Sequence, residues 1–204
     1  MIDQDLLFQW GAITKKVVAE EKVVEEDHPS YYYYQLLEGR LRAVNINEQG
    51  KEYLQYIVNP GETFAEIPLV IPTPFQITVV ADIPSEIIKL PRDRFDTLLV
   101  NHPHLQAELS KVLANRLRLK YIITKELCNH NPQHSILSLL EYLQKEGKHI
   151  CKACNKVKLT RQQIADMLGL RVETVIRAIR DLYDRELLVI QNGKVFYPAR
   201  VHNT

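Results

Sequence analysis

The sequence lacks a long apolar segment, a secretory signal and a disulfide framework. Its apolar runs, such as Leu187–Ile190, are far shorter than the roughly 20 residues that a membrane-spanning helix needs. The N-terminus is acidic and precedes no apolar stretch, so no signal peptide is visible. Three cysteines are an odd number and too few for a network of disulfides. We therefore expect a protein of the reducing cytoplasm without a membrane partner.

Motifs of catalysis are also missing. The chain has no glycine-rich phosphate loop, no motif around an activated nucleophile and no paired carboxylates with the spacing of a metal site. We therefore do not expect an enzyme. The composition, with 46% hydrophobic and 25% charged residues, indicates an ordinary globular protein. A chain of 204 residues can form one large or two small domains with their own cores.

Charge is unevenly divided along the chain. Residues 1–127 contain 14 Lys and Arg against 18 Asp and Glu, a net charge of −4. Residues 128–204 contain 12 basic and 7 acidic residues, a net charge of +5. The last third is therefore the part suited to a polyanionic partner, although a solvated basic surface would give the same count.

Short strand-like segments dominate residues 23–90, whereas residues 1–20 have a weakly helical pattern. The strand-like segments are separated by turns that contain Gly or Pro, and they lie at 31–37, 41–46, 53–58, 75–81 and 86–90. Strands at this spacing predict a roll, barrel or sandwich. Alternate residues of the aromatic run Tyr31–Tyr34 are expected to fill the core of this region, rather than the run forming a stacking platform.

A long amphipathic pattern begins at Pro103 and continues to Leu127. Its apolar residues recur at intervals of three and four: Leu105, Leu109, Val112, Leu113, Leu119, Ile123 and Leu127. A stripe of this length predicts a helix that forms a dimer, although burial against its own domain is the alternative. His130–Pro132 interrupt the pattern, and a further helix is predicted over 135–146, ending at Gly147.

The most informative segment is 158–197. Thr160 and Gln163 have the spacing of a capping box, so a helix begins there, and Gly169 permits the left-handed conformation that ends it. A second helix begins near Arg171. It buries Val175, Ile179 and Leu182 at helical spacing and leaves Glu173, Thr174, Arg177 and Arg180 facing outward. Asn192-Gly193, between two apolar runs, then predicts a β-hairpin. Two helices joined by a tight turn and followed by a hairpin indicate a winged helix-turn-helix that binds double-stranded DNA.

At these residues the chain resembles the Crp/Fnr family of bacterial transcription regulators. The resemblance covers about residues 30–200, and its landmarks are Tyr33–Gly39, Gly50, Pro60–Glu66, Phe95 to Pro103, the long helix and Leu159–Ile190. It implies an α+β fold: a cyclic-nucleotide-binding-like β-roll sensor at 1–102, a dimerisation helix at 103–127 and a winged helix-turn-helix at 128–204. It also implies a homodimer that controls transcription from an inverted-repeat operator, with RNA polymerase as a partner.

The resemblance assigns roles to residues of the second helix and its surroundings. The positions that match the base-reading residues of the family are Val172, Glu173, Ile176 and Arg177. Arg177 can bond guanine, Glu173 can accept from cytosine, and a valine can touch a thymine methyl. Contacts to phosphate, which position the protein without reading sequence, are expected from Thr160, Arg161, Arg171, Thr174, Arg180 and Lys194.

The effector pocket of the family corresponds to Gly61, Phe64, Ala65, Glu66, Phe75 and Gln76. Glu66 matches the glutamate that binds ribose, but Ala65 replaces a glycine. Phe75 and Gln76 fall where an Arg-Ser pair binds the cyclic phosphate. A cyclic phosphate needs a cation and hydrogen-bond donors, and phenylalanine supplies neither. We therefore expect no cyclic-AMP binding in the usual mode, and the pocket is either empty or holds another small-molecule effector.

Cys151 and Cys154 form a C-x-x-C pair on a predicted hairpin loop between the two parts of the C-terminal region. Such a pair can bind a metal ion or form a disulfide, with Cys128 and His149 as further candidate ligands. Functionally silent thiols are the alternative. For the whole chain, the alternative function is a cyclic-nucleotide-binding-like interaction or sensor module without a transcriptional role, which DNA binding would distinguish.

Overall fold

The computed structural model describes residues 2–198. Within them, no helix combines the length and the apolar composition that crossing a membrane requires. The chain divides into two compact units between Asn115 and Arg116, and each unit is described by itself. The predicted three-part division at residues 102 and 127 stays a prediction.

The N-terminal unit is an antiparallel β-roll with three helices before the long one. In chain order its elements are α1 (Gln4–Gln9), β1 (Ile13–Val17), β2 (Lys22–Val24), β3 (Tyr32–Glu38), β4 (Leu41–Ile46), β5 (Glu52–Val58), β6 (Thr63–Phe64), α2 (Ile67–Val70), β7 (Thr78–Ala81), β8 (Ser85–Pro91) and α3 (Arg92–Asn101). The strands form two four-stranded sheets, in the orders β1-β8-β3-β6 and β2-β7-β4-β5. The predicted β-roll is confirmed.

Two local predictions in this unit are wrong. Residues 1–20 are not helical throughout, because Gly11 has a positive φ of 83° and the β-branched residues after it form β1, which pairs with β8. The strand predicted over 75–81 begins only at Thr78, since residues 71–77 form an irregular connection in which the Gln76 side chain bonds the Thr73 hydroxyl.

The tyrosines of β3 fill the core on both faces of their strand. Tyr33 stacks on Phe95 of α3, with ring centroids 4.7 Å apart. Tyr34 points the other way and stacks on Phe64, at 5.3 Å. Because successive residues of a strand face opposite sides, neighbouring aromatics can serve two clusters. The core role is confirmed, but it falls on two neighbouring tyrosines rather than on alternate ones, and Tyr31 is exposed.

Helix α4 (His104–Asn129) contains the predicted apolar stripe. In the N-terminal unit, Leu105 is buried and Leu109 packs against the same cluster as Phe95. In the C-terminal unit, Leu119 and Ile123 are buried. Other large side chains in that half of the helix are exposed, namely Leu117, Tyr121 and Leu127. The helix is therefore only partly covered by its own chain.

The C-terminal unit is a winged helix-turn-helix, as predicted. After the second half of α4, its elements are α5 (Pro132–Lys145), α6 (Arg161–Leu168), α7 (Val172–Asp184), β9 (Val189–Gln191) and β10 (Lys194–Phe196). Helix α5 begins three residues earlier than predicted, because Asn131 accepts a hydrogen bond from the His134 N–H and Pro132 occupies the first turn.

Candidate nucleic-acid interface

Local hydrogen bonds fix both the start of α6 and the turn that joins it to α7. The Gln163 N–H donates to the Thr160 hydroxyl at 3.1 Å, and the Thr160 N–H donates to the Gln163 side chain at 3.0 Å. Both halves of the capping box are thus formed. Gly169 ends α6 with a φ of 64°, a conformation that glycine adopts at little cost. The Leu170 N–H then donates to the Ala165 carbonyl, which sets the direction in which α7 leaves.

Helix α7 divides into a buried and an exposed face. Its buried face consists of Val175, Ala178, Ile179 and Leu182. The positions predicted to read bases lie elsewhere: Glu173, Ile176 and Arg177 are exposed and Val172 is half-buried. Arg177 and Glu173 form no salt bridge with any residue that the structure describes. An uncommitted guanidinium and carboxylate one helical turn apart can bond to the edges of neighbouring base pairs.

The residues predicted to contact phosphate fall into two groups. Arg171, Arg180 and Lys194 are exposed and bring three positive charges to the surface. The other three have partial roles within the fold: Thr174 is half-buried, the Thr160 oxygen caps α6, and Arg161 donates to the Gly193 carbonyl at 3.2 Å. The Thr160 hydroxyl can still donate its own proton to a phosphate.

The hairpin forms as predicted and is connected to the helix-turn-helix. Asn192 and Gly193 have φ values of 48° and 71°, as the tight turn of a two-residue hairpin requires. The bond from Arg161 to Gly193 joins the start of α6 to the tip of this wing. Sequence analysis missed this link, because a contact between residues 32 apart leaves no local signal. The bond brings the wing tip next to a predicted phosphate contact.

The predicted effector pocket is largely part of the β-roll core. Phe64, Ala65, Glu66 and Phe75 are buried. The Phe75 ring lies 6.4 Å from the Tyr34 ring, within the same cluster as Phe64. Burial also raises the pKa of Tyr34 to about 12. Gly61 has a φ of 84° at a turn, and Gln76 is exposed and donates to the Thr73 hydroxyl at 2.8 Å.

A cation for a cyclic phosphate is absent from these six positions. Strand β4 carries Arg42, but its guanidinium already donates to the carboxylates of Glu20, Glu52 and Asp82. These hydrogen bonds, that to Glu20 first, raise the pKa of Arg42. Sequence analysis missed a set of buried hydrogen bonds in the same unit. In it, the Tyr33 hydroxyl donates to Gln35 at 2.6 Å and the Thr63 hydroxyl donates to the Tyr34 carbonyl at 2.8 Å.

The predicted metal-ligand set is not assembled. Within the described part of the chain, no three His, Cys, Asp or Glu side chains are placed to hold a metal ion. Cys128 is exposed near the end of α4, and the 14 residues of α5, about 21 Å of helix, separate it along the chain from Cys151. The backbone carbonyl of His149 accepts from the Lys158 N–H. Cys151 and Cys154 remain together on their loop.

Two family descriptions match the two units. The cyclic nucleotide-binding domain matches residues 14–102, and the Crp-like helix-turn-helix domain matches residues 135–198. The solved structure of a transcriptional regulator of the CRP/FNR family from Thermus thermophilus has a TM-score of 0.67 and 21% identity. The alignment covers 91% of this chain and 93% of that chain, so the two share their fold.

Relatives by sequence agree with this architecture. A CRP-like cAMP-activated global transcriptional regulator of Mycobacterium tuberculosis is 25% identical over 169 residues, which cover 82% of this chain and 75% of that protein. A lysophospholipase NTE1 of Chaetomium globosum is 29% identical over 114 residues, but these are only 7% of that enzyme. With both domains matched in this order, the chain has the architecture of a Crp/Fnr-type transcription regulator and carries a Crp-like helix-turn-helix DNA-binding domain.

Proposed function

We propose that this regulator binds an inverted-repeat operator as a homodimer and inserts α7 of each protomer into the major groove. The observation that carries the proposal is the division of α7 into a buried apolar face and an exposed face with Glu173, Ile176 and Arg177. Two such helices, related by the two-fold axis of a dimer, would meet half-sites one or two helical turns apart, at about 34–36 Å per turn.

The α7 side chains that are predicted to read bases differ in the base that they suit. The Arg177 guanidinium can donate two hydrogen bonds to O6 and N7 of a guanine, and Glu173 can accept from N4 of a cytosine. Val172 and Ile176 offer apolar contacts to thymine methyl groups, and Ile176 is the more exposed of the two. We therefore expect a G·C pair in each half-site with thymine close by.

Phosphate contacts would come from both sides of α7. Arg171 and Arg180 flank the base-reading residues, and Lys194 lies at the wing tip beside the Arg161–Gly193 bond. Thr160, Arg161 and Thr174 would add hydrogen bonds from the start of the two helices. Because these groups bond any sequence, they set the register of the protein on the duplex and the dependence of its affinity on salt.

The dimer would form through α4. Leu117, Tyr121 and Leu127 expose large apolar areas on one helix, and a partner helix would remove them from water. Burial of apolar surface contributes about 25 cal/mol per Å², so a few such side chains contribute several kcal/mol. A protein of this kind would contact RNA polymerase and act in the bacterial cytoplasm.

We further propose that the β-roll takes no cyclic nucleotide in the usual mode of the family. Phe75, at a position that would face the phosphate, is buried against Tyr34. Any effector would therefore be a small molecule of another class. Calorimetric titration with cyclic AMP and cyclic GMP should show no saturable heat at micromolar concentrations, and saturable binding of either would contradict the assignment.

The operator proposal is tested by selection from a random DNA pool, followed by gel-shift titration of Arg177→Ala. We expect enrichment of a symmetric motif, and a loss of about 1–3 kcal/mol per half-site that relaxes the preference at one base pair. Arg185→Ala removes the same charge from the end of α7 and serves as the control. Equal losses on specific and random DNA would contradict the role of Arg177. No DNA binding at all would favour an interaction or sensor module without a transcriptional role.

A further inference from the structure

The loop between α5 and α6 holds two thiols next to each other. Ile150 and Val157 pair across a short antiparallel hairpin, and the Asn155 N–H donates to the Cys151 carbonyl at 2.8 Å, which closes a turn at the hairpin tip. Cys151 and Cys154 are three residues apart in this turn, and both thiols are free. Cys154 is exposed and Cys151 is half-buried, so small reagents can reach the pair.

The environment of the turn favours the thiolate of Cys151. The Cys154 side chain donates to it and lowers its pKa, and the backbone N–H groups of Cys154 and Ala153 and the charge of Lys158 act in the same direction. The segment from Gly147 to Thr160 contains four lysines and no acidic residue. A thiolate is the nucleophilic form of cysteine, so this environment makes Cys151 the attacking sulfur.

Backbone hydrogen bonds connect the same loop to the wing. The Val157 N–H donates to the Val195 carbonyl at 2.9 Å, and the Tyr197 N–H donates to the Asn155 carbonyl at 3.0 Å. Lys156 also forms a bridge with Phe196. A movement of Asn155 therefore acts directly on the strand that follows the wing tip.

Two thiols without further ligands favour oxidation over metal binding. A structural zinc ion takes four ligands, and residues 2–198 offer no group of three suitable side chains. A disulfide needs only the two sulfurs, at about 2.05 Å, with the right approach of the backbone. Because both cysteines are free in this structure, their sulfurs must move closer when the bond forms, and the turn must tighten with them.

We propose that Cys151 and Cys154 are an oxidation site that forms an intramolecular disulfide in response to a peroxide and thereby alters DNA binding through the wing. The Cys151 thiolate attacks one peroxide oxygen, the O–O bond breaks, and Cys151 becomes a sulfenic acid as hydroxide leaves. The Cys154 sulfur attacks the sulfenic sulfur, the S–S bond forms, and the second oxygen leaves as water. In total, two thiols lose two electrons and two protons, and the peroxide is reduced to two waters.

The chemistry is tested in full-length protein that carries Cys128→Ser, so that only the pair remains. Stoichiometric hydrogen peroxide should remove both thiols and lower the mass by two hydrogens. Trypsin cleaves after Lys152, so the peptides 149–152 and 153–156 should stay joined until a reductant is added. With Cys154→Ser added, the reaction should stop at a Cys151 sulfenic acid that dimedone traps.

The matched control keeps Cys128 and replaces the pair by Cys151→Ser and Cys154→Ser. Its single thiol should react about ten times more slowly, because Cys128 has no neighbouring sulfur to donate to it or to resolve it. Equal rates, two retained thiols, or a disulfide between two chains would overturn the proposal.

The effect on DNA rests on the proposed function and is measured separately, with the selected operator. Complete oxidation of the Cys128→Ser protein should change the dissociation constant about threefold or more, a reductant should reverse the change, and Cys154→Ser should abolish it. An unchanged constant at complete disulfide formation would overturn the regulatory part. If the reduced protein binds no DNA, the operator proposal fails instead, while the peptide map still decides the thiol chemistry.

Discussion

The residues expected to bind a partner are mostly exposed in the C-terminal unit and mostly buried in the N-terminal unit. In the C-terminal unit, Glu173, Ile176 and Arg177 are exposed on a helix whose other face supplies the core. In the N-terminal unit, the positions expected to hold an effector, such as Phe64 and Phe75, are themselves core. In the C-terminal unit, the expected contact residues are therefore not the residues that stabilise the fold. In the N-terminal unit, the same residues are expected to do both.

This difference follows from where each site lies on its fold. A DNA-reading surface is convex, so its side chains cost little stability whatever their chemistry, and the partner decides which are useful. An effector pocket inside a β-roll is concave and must be lined. If an apolar side chain replaces a polar ligand contact there, it gains contacts with the rest of the lining and the pocket becomes part of the core.

The largest effect is expected from Phe75→Ala, which tests whether this effector-pocket position is part of the core. Loss of a buried phenylalanine should lower the free energy of unfolding of the N-terminal unit by about 3–5 kcal/mol, since the cavity left beside Tyr34 cannot be filled completely. Trp10, the only tryptophan, lies in this unit, so its fluorescence during urea unfolding reports the change.

The matched control is Gln76→Ala at the neighbouring, exposed position. It removes a surface hydrogen bond to Thr73 and should change the stability by less than about 0.5 kcal/mol. If Phe75→Ala were equally mild, Phe75 would not be a core residue, and the effector pocket would have to be reconsidered as a ligand site.

The next effect concerns α4, which both units share. Leu109 packs against the core of the N-terminal unit, so a charge there would change stability and association together. Leu117 is 51% exposed, so a substitution there should change the association of two chains with little change in the stability of either. Leu117→Glu should raise the dissociation constant of the dimer by about 100-fold or more, because it places a charge in an apolar seam.

Sedimentation at micromolar concentration measures this change. The unmodified chain should sediment at twice its chain mass, Leu117→Glu near the monomer mass, and Leu117→Met, which keeps the apolar surface, with the dimer. A monomeric unmodified chain would contradict dimerisation through α4.

Sequence predicted the winged unit well because its signals are local. Thr160 with Gln163, Gly169 and the pair Asn192-Gly193 each fix a boundary within a few residues, and the structure places a cap, a helix end and a hairpin turn there. The base-reading positions on α7 come from the resemblance to the Crp/Fnr family and stay a prediction, to which the structure adds that Glu173, Ile176 and Arg177 are exposed.

Sequence predicted the β-roll less completely because its decisive contacts are distant along the chain. Phe75 packs against Tyr34 across 41 residues, and Gln35 bonds the Ile2 carbonyl, neither of which a local pattern reveals. Residues 13–17 form a strand because β8 pairs with them. Tertiary pairing outweighs a weak local preference in such segments.

A smaller effect sharpens the description of the exposed surface in the winged unit. Lys194 at the wing tip is exposed and is expected to neutralise one phosphate. Lys194→Ala should weaken binding to all DNA sequences alike and reduce the slope of log affinity against log salt by about one. Gel-shift titrations at several salt concentrations measure the slope. A loss confined to the selected operator would mean that Lys194 reads a base instead.

The smallest effect tests whether the backbone is strained at Ala65, where the family has a glycine. Ala65 is buried and has a φ of 56°, a left-handed conformation that costs a residue with a Cβ about 1–2 kcal/mol. In Ala65→Gly, relief of this strain opposes the loss of a buried methyl group, about 0.8 kcal/mol, and the greater freedom of glycine in the unfolded chain, about 0.4–1 kcal/mol. The net change in stability should therefore be close to zero.

Ala43, buried in β4, provides the comparison. Ala43→Gly suffers the same two losses without relief of strain and should lower stability by about 1–2 kcal/mol. Both variants are measured by urea unfolding with Trp10 fluorescence, so the difference between them reports the strain at residue 65. Equal losses would mean that the left-handed backbone at Ala65 carries no strain. Alanine in place of the family's glycine at position 65 would then cost the β-roll no stability.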